Sequence, residues 1–242
     1  QTEMWYPSHE ELLDAKFISG ASRGQFALTG FGGTPDAMQV NAWLGRVPVY
    51  RAIKAVDPAV YSAVTDRFVL GITQGLPENE VLGATRGLMS GLVENRVPLA
   101  SDAAILELMA VATDEMSALQ KIDPVICRKF IAPGPDDRVD LRRYLGPEII
   151  ARDLKASEQI LMSSLEEHKS TMGKEQVDRI FSKVVLHLIA KHGAKFMDDM
   201  AKLGDGSAGN RMCDITLKFY RGIKQLPESE AVEVFRMLMA ED

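Results

Sequence analysis

The sequence predicts an all-α fold, an array of helical hairpins with about nine to eleven helices and an irregular glycine-rich N-terminal segment. Residues 71–80 recur in shortened form at residues 222–230, and residues 52–61 recur at residues 118–127. Apolar residues also return every three or four positions over long stretches, while the alternation typical of strands is scarce. Recurring phrases that end or begin helices indicate internally related hairpins.

Residues 1–34 are predicted to form a short helix followed by a glycine-rich connector. Ser8 supplies an N-cap, and Glu10 and Glu11 complement the dipole of the helix that it begins. Residues 20–34 then contain five glycines. Such a loop can cradle phosphate through its backbone N–H groups. However, no Gly-Lys-Ser/Thr sequence ends this one, so we interpret it as a connector or a surface flap.

Residues 35–242 are predicted to form a single helical domain whose helices are bounded by proline, glycine and capping residues. Proline suits the first turn of a helix, and Asp, Ser or Thr suits the cap before it. Helix starts are therefore expected at Thr34-Pro35, Pro48, Asp57-Pro58, Pro77-Glu78, Ser101, Asp123-Pro124 and Gly146-Pro147. The clearest loop, at residues 132–140, is a candidate sub-boundary. We retain one domain because the repeated phrases lie on both sides of that loop.

The second half of the chain is predicted to contain longer helices with regular apolar stripes. One helix is expected over residues 147–170, one continuous helix over residues 174–203, and two closing helices over residues 211–225 and 227–239. The stripe of the earlier helix at residues 101–122 consists of Ile105, Leu108, Met109, Ala112, Met116 and Leu119. That of residues 147–170 consists of Ile150, Leu154, Leu161 and Leu165. That of residues 174–203 consists of Val177, Ile180, Phe181, Val184, Leu188, Ile189, Phe196, Met200 and Leu203.

The charge balance limits the classes of partner. The chain carries 28 Lys and Arg residues against 34 Asp and Glu residues, a net charge of −6. Such an acidic chain lacks the basic footprint that sequence-independent phosphate binding requires, so we do not expect nucleic acid as a partner. No stretch is apolar enough to predict a transmembrane segment. A protein is the expected partner, and self-association into a homo-oligomer stays open.

Two features bear on the compartment. Cys127 and Cys213 are the only cysteines, and both fall early in predicted helices. If those helices pack side by side, the thiols would form a disulfide, which indicates an oxidising compartment; the alternative is two buried free thiols. Gln1 is not an initiator methionine. Cleavage of a signal peptide would leave such an N-terminus and predict a periplasmic or secreted protein, and otherwise we expect the cytoplasm.

The sequence has no pattern typical of a catalytic centre, and we predict neither a metal nor a cofactor. His187 and His192 are five residues apart, an offset that places them on different faces of a helix. We expect them and His168 to be partly buried, hydrogen-bonded residues rather than metal ligands. Asp57 and Asp123 each precede a proline, and we interpret both as helix caps rather than as a catalytic pair.

The candidate binding residues are four arginines, one within the loop at residues 132–140 and three that follow it. A guanidinium group suits carboxylate or phosphate, although ion pairs with neighbouring aspartates would account for the same run. From these features we expect a non-enzymatic protein-interaction or scaffold module. The alternative is a small-ligand-binding protein or an enzyme whose pocket between helices is covered by residues 20–34. The four arginines are Arg138, Arg142, Arg143 and Arg152.

Leu188→Asp is expected to destabilise the protein strongly, because it would place an unpaired carboxylate on a buried stripe. A thermal melt should show the Tm lowered by roughly 10 °C. Leu188→Met is the matched control and should stay within a few degrees of the wild type. An unchanged Tm in Leu188→Asp would mean that the buried face has been assigned wrongly.

Overall fold

The computed structural model confirms the all-α prediction. Eleven α-helices and four short 3-10 helices occupy the part of the chain that the structure describes, and no strand occurs in that part. No helix within it is both long and apolar enough to cross a membrane. The predicted N-terminal helix and the glycine-rich residues 20–34 lie outside the described residues. The described residues are 37–76, 78–132, 141–204 and 207–240.

The helices are joined by short connections. In chain order they are α1 (Ala37–Leu44), α2 (Pro48–Val56), α3 (Pro58–Thr73), α4 (Glu78–Arg96), α5 (Asp102–Ile122), α6 (Pro124–Ile131), α7 (Pro147–Ser163), α8 (Lys174–His192), α9 (Lys195–Gly204), α10 (Met212–Ile223) and α11 (Glu228–Ala240). The 3-10 helices are Val97–Leu99, Leu141–Arg143, Ser164–Glu166 and Gly209–Arg211.

The predicted capping residues begin their helices as expected. Asp57 Oδ1 accepts hydrogen bonds from the backbone N–H groups of Ala59 and Val60, each at 3.0 Å. Asp123 Oδ1 accepts one from the N–H of Val125 at 2.8 Å. Each bond satisfies a backbone donor that the first turn of a helix leaves without a partner. The interpretation of both aspartates as caps is therefore confirmed.

Two predicted helices are shorter than the sequence indicated. Residues 174–203 form two helices, because Gly193 adopts a φ of +86° that ends α8 before α9 begins. Glycine adopts this left-handed backbone without steric cost. The apolar stripe in the sequence continues past the break. Likewise α7 ends at Ser163 and Glu167 has a φ of +50°. Leu165 is consequently 49% exposed rather than on a buried face.

Helix α5 lies at the centre of the second half of the array. It packs against α6, α7, α10 and α11, while α8 packs against α9, α10 and α11. Most of the predicted α5 stripe is buried in these contacts. The same holds for the first part of the predicted α8 stripe. The buried members of the two stripes are Ile105, Met109, Met116, Leu119, Val177, Ile180, Val184 and Leu188.

Each copy of the repeated Gly-Ile phrase places a glycine where two helices touch. A Cβ atom on Gly71 would overlap the side chain of Val81 in α4, and one on Gly222 would lie 3.1 Å from Leu188 in α8. The neighbours of the two copies differ, since α3 packs along the next helix whereas α10 packs mainly against α5, α6 and α8. In both copies the glycine therefore allows a close helix contact.

A disulfide joins α6 to α10, as one of the two alternatives for the cysteines predicted. Cys127 and Cys213 are fully buried, and their Cα atoms are 5.7 Å apart although 86 positions separate them in the sequence. Their Sγ atoms lie 3.6 and 3.7 Å from the carbonyl oxygen of Met116 in α5. The cross-link thus fixes α6 and α10 together at the surface of the central helix.

Two buried charged residues of α11 hold two connections in place. The Glu233 carboxylate accepts hydrogen bonds from the Thr171 N–H at 2.9 Å, from the Thr171 hydroxyl at 3.1 Å and from the Ser170 hydroxyl. Arg236 donates to the carbonyl of Pro98 at 2.8 Å and to the carboxylate of Asp102 at 2.6 Å. These bonds fix the chain just before α8 and just before α5.

Replacing both cysteines by serine is expected to lower the free energy of unfolding by about 2–4 kcal/mol, because the disulfide closes a long loop in the unfolded chain. Guanidinium titrations of the wild type and of Cys127→Ser/Cys213→Ser would measure this. Reductant should lower the midpoint of the wild type and leave that of the double variant unchanged. Equal midpoints under oxidising conditions would show that the cross-link contributes no stability.

Candidate functional site

The four predicted arginines have different environments in the structure. Arg138 and the side chain of Arg142 lie outside the described part of the chain, and Arg143 is exposed in the 3-10 helix Leu141–Arg143. Arg152 of α7 donates to Glu107 of α5 at 3.2 and 3.3 Å and to Asp114 of α5 at 2.8 Å. The Arg152 guanidinium is therefore engaged in holding α7 to α5.

A group of ionisable side chains, one buried and two partly buried, lies near Arg152. Glu115 of α5 is 2% exposed, and its Oε1 atom has no hydrogen-bond partner among the described residues. Asp153 of α7 and Arg86 of α4 interact with it electrostatically. The Arg86 guanidinium also lies 4.9 Å from the centre of the Phe130 ring, a cation–π contact.

Burial determines the protonation of this group. It raises the pKa of Glu115 to about 9, and the negative charge of Asp153 adds to that effect while Arg86 opposes it. Burial also raises the pKa of Asp153, again opposed by Arg86. Glu115 is therefore a neutral acid at pH 7, which avoids the cost of an uncompensated buried carboxylate. The group binds a proton in the interior of the fold.

A row of basic side chains follows one exposed face of α8. Arg179, Lys183, His187 and Lys191 recur every four residues and all four are exposed. Residues four apart are neighbours on a helix surface, so these side chains form a continuous line. No Asp or Glu occurs anywhere in residues 179–197. We call these four residues the basic row.

One end of the basic row borders a pocket between α8 and α10. Its volume is about 230 Å³. Three permanent cations and two imidazoles surround it, against a single carboxylate. We call it the α8/α10 pocket, and its lining residues are His187, Leu188, Lys191, His192, Asp214, Lys218, Arg221, Gly222 and Gln225.

The cations from α10 are held by hydrogen bonds and ion pairs. Lys218 Nζ lies 2.6 Å from Asp214 Oδ2, one turn earlier in the same helix. Arg221 donates from Nη2 to the hydroxyl of Ser117 in α5 at 3.0 Å. Ser117 in turn donates to the carbonyl of Thr113 at 2.7 Å. The central helix therefore positions the Arg221 guanidinium at the edge of the pocket.

His192 reports the electrostatic character of the pocket. Its pKa lies below the ordinary value, mainly because of burial and then because the positive charges of Lys218 and Lys191 disfavour a further proton. Asp214 acts in the opposite direction. The ring also contacts the buried Phe196, with 5.6 Å between the ring centres. The imidazole is therefore held in a positive field.

The start of α10 is fixed by an ion pair with α9. Asp199, which is 5% exposed, accepts two hydrogen bonds from the Arg211 guanidinium at 2.8 and 2.5 Å. A paired fork of this kind fixes orientation as well as distance. Together with the disulfide, it fixes the wall of the α8/α10 pocket that α10 provides.

One expectation about histidine is wrong, and one feature of the sequence points to the pocket. His187 is exposed rather than buried, and it borders the same pocket as His192 although the two differ in helix face. Both His187 and His192 line the pocket, because α10 packs against the side of α8 that lies between these two residues. The absence of carboxylates from residues 179–197 was readable in the sequence. In a chain with 34 acidic residues, it would have pointed to this surface.

Within the described ranges, no three His, Cys, Asp or Glu side chains are grouped as a metal site requires. The basic row and the lining of the α8/α10 pocket carry mainly cationic side chains, which are groups that suit carboxylate or phosphate. Comparison of the chain with protein-family models, curated proteins and solved structures found no match.

Glu115→Gln is expected to make stability less dependent on pH. The pKa of Glu115 is about 9 in the folded protein, against an ordinary value of 4.5. Its contribution is therefore fully present below about pH 4.5 and is lost as the pH rises towards 9. Glutamine does not ionise, so the Tm of the variant should exceed that of the wild type by a few degrees at pH 8.

The dependence on pH separates this effect from a packing effect. Thermal melts of both proteins at pH 5, 6, 7 and 8 should show a Tm difference that grows with pH in favour of Glu115→Gln. A difference that is constant over the range would contradict the raised pKa, since altered packing or hydrogen bonding of the amide shifts all four values equally.

Proposed function

We propose that this protein is a non-enzymatic interaction module that docks an acidic segment of a partner protein on the basic row and the α8/α10 pocket. The observation that supports this most directly is the charge of residues 179–197, which contain four Lys or Arg residues, two His residues and no carboxylate. The chain as a whole has a net charge of −6. The charge of this surface is therefore opposite in sign to the net charge of the protein.

Such a contrast favours one orientation of an approaching acidic chain. Complementary charge accelerates association and fixes the register of the two partners, while the acidic remainder of the surface repels the same segment. Because α8 is 19 residues long and the basic row covers 13 of them, an extended or helical segment can meet several cations at once. Binding of this kind weakens as salt concentration rises.

The spacing of the basic row gives a second argument. Like charges four residues apart on a helix destabilise it by about 0.2–0.5 kcal/mol per pair. Arg179 and Lys183 form such a pair on an exposed surface. An acidic partner would neutralise this repulsion, so binding would stabilise α8 as well as the complex.

The dimensions of the pocket favour a macromolecule over a free small molecule. Sites for small ligands commonly measure about 300–1,000 Å³, whereas the α8/α10 pocket measures about 230 Å³. A pocket of that size accommodates a side chain or a single ionic group of a larger partner. The apolar face of α8, including Val184 and Leu188, is buried in the protein. Leu186 is exposed on α8, but one apolar side chain is far less than the apolar face with which an interfacial helix inserts into lipid.

The disulfide supports a proposal about the compartment in which the partner is met. Disulfides persist mainly in oxidising environments such as the periplasm and the extracellular space. Cys127 and Cys213 are bonded to each other in the interior of the fold. We therefore propose that the partner is met in such a compartment.

Removing two cations of the basic row is expected to weaken binding of an acidic peptide about five- to tenfold at low ionic strength, since each exposed ion pair contributes up to about 1 kcal/mol. The measurement is fluorescence anisotropy of a labelled 12-residue Glu/Asp-rich peptide with the full chain. The variant is Lys183→Gln/Lys191→Gln.

A matched control removes the same charge from another surface. Arg46, which follows α1, and Arg67 of α3 are both exposed, and α3 packs against α1, α2 and α4 rather than against α8 or α10. Arg46→Gln/Arg67→Gln should bind within twofold of the wild type. Equal loss in both variants would show that only net charge matters. Binding to an anionic vesicle or to single-stranded DNA, without binding to the peptide, would overturn the proposal.

A further inference from the structure

We infer that the α8/α10 pocket takes a phosphoryl group, so that the acidic segment which docks on the basic row is a phosphorylated one, with phosphoserine or phosphothreonine entering the pocket. This inference rests on the proposed function and names the chemistry of the partner. It concerns Lys191, Lys218 and Arg221, which surround the pocket, rather than the more distant Arg179 and Lys183 of the basic row.

The charge of the pocket matches a dianion. Lys191, Lys218 and Arg221 face a single carboxylate, that of Asp214, which leaves two permanent positive charges uncompensated within the lining. A phosphorylated side chain carries a charge of about −1.5 to −2 at pH 7, whereas a Glu or Asp side chain carries one. Only the phosphoryl group would neutralise the pocket with one residue.

The hydrogen-bond donors of the pocket suit the oxygen atoms of a tetrahedral phosphoryl group. The bond from Arg221 to Ser117 uses one of the five N–H donors of a guanidinium group and fixes its orientation. An oriented guanidinium binds phosphate oxygens through paired hydrogen bonds. Lys218 contributes a point charge held by Asp214 at 2.6 Å. The same ion pair compensates Asp214, which would otherwise repel the incoming anion.

The pocket exists before a ligand arrives. Its floor is the contact of Leu188 with Gly222, where even a Cβ atom on the glycine would lie only 3.1 Å from Leu188. The disulfide of Cys213 and the ion pair of Asp199 with Arg211 hold α10 in this position. A preformed site avoids the cost of ordering its donors on binding.

His192 supplies an independent reporter of the bound group. Burial lowers the pKa of His192 most, the positive charges of Lys218 and Lys191 lower it further, and Asp214 acts against them. A phosphoryl dianion beside the ring would oppose those positive charges and raise the pKa of His192. A segment that bound only along Arg179 and Lys183 would leave it unchanged.

The experiment compares two peptides of one acidic sequence, one with serine and one with phosphoserine at its centre, by anisotropy with the full chain. We expect the phosphopeptide to bind the wild type at least tenfold more tightly. Lys218→Gln/Arg221→Gln should reduce this preference to less than threefold. Arg179→Gln/Lys183→Gln should weaken both peptides by a similar factor and keep the preference. Thermal melts confirm that each variant is folded.

Each further outcome decides between the inference and the proposed function. Equal binding of both peptides by the wild type would overturn the phosphoryl inference and leave acidic docking intact, whereas binding of neither would overturn both. Inorganic phosphate that binds the pocket as tightly as the phosphopeptide would show that a free anion is the ligand. In an NMR titration, the His192 pKa should rise with the phosphopeptide; an unchanged value would contradict entry into the pocket.

Discussion

The position of α10 against α5 and α6 is the contact on which the proposed binding surface depends. The disulfide between Cys127 and Cys213 closes that contact beside Met116, in the interior of the fold. Because α10 provides one wall of the α8/α10 pocket, a shift of this helix would separate Lys218 and Arg221 from the histidines of α8. The cross-link therefore stabilises the fold and fixes the surface at the same time.

Charged side chains have two different uses in this molecule. In the interior they hold elements together, as Glu233 and Arg236 do for two connections, or they lose their charge, as Glu115 does by keeping its proton. On the exposed side of α8 the cations of the basic row instead belong to a stretch, residues 179–197, that contains no carboxylate. A partner of opposite charge would add most at this cationic surface.

The helix boundaries could be predicted from the sequence because caps act locally. Asp57 and Asp123 bond to backbone groups two or three residues away, so their role does not depend on the rest of the fold. The break at Gly193 was missed, since the apolar stripe continues on both sides of it. The protonation of Glu115 and the grouping of His187 with His192 also could not be predicted, because both depend on contacts between distant helices. The long carboxylate-free stretch was available from the sequence, but the pocket beside it was not.

The measurement that tests the central claim most directly is an NMR titration of the 15N-labelled full chain with an acidic peptide, followed residue by residue. We expect backbone shift changes to concentrate in residues 179–192 and 214–225, with little change in α1 to α4. They should diminish as salt is added, because the contacts are electrostatic. Shift changes that map to α1 to α4, or that persist unaltered in high salt, would contradict the assignment of the binding surface to α8 and α10.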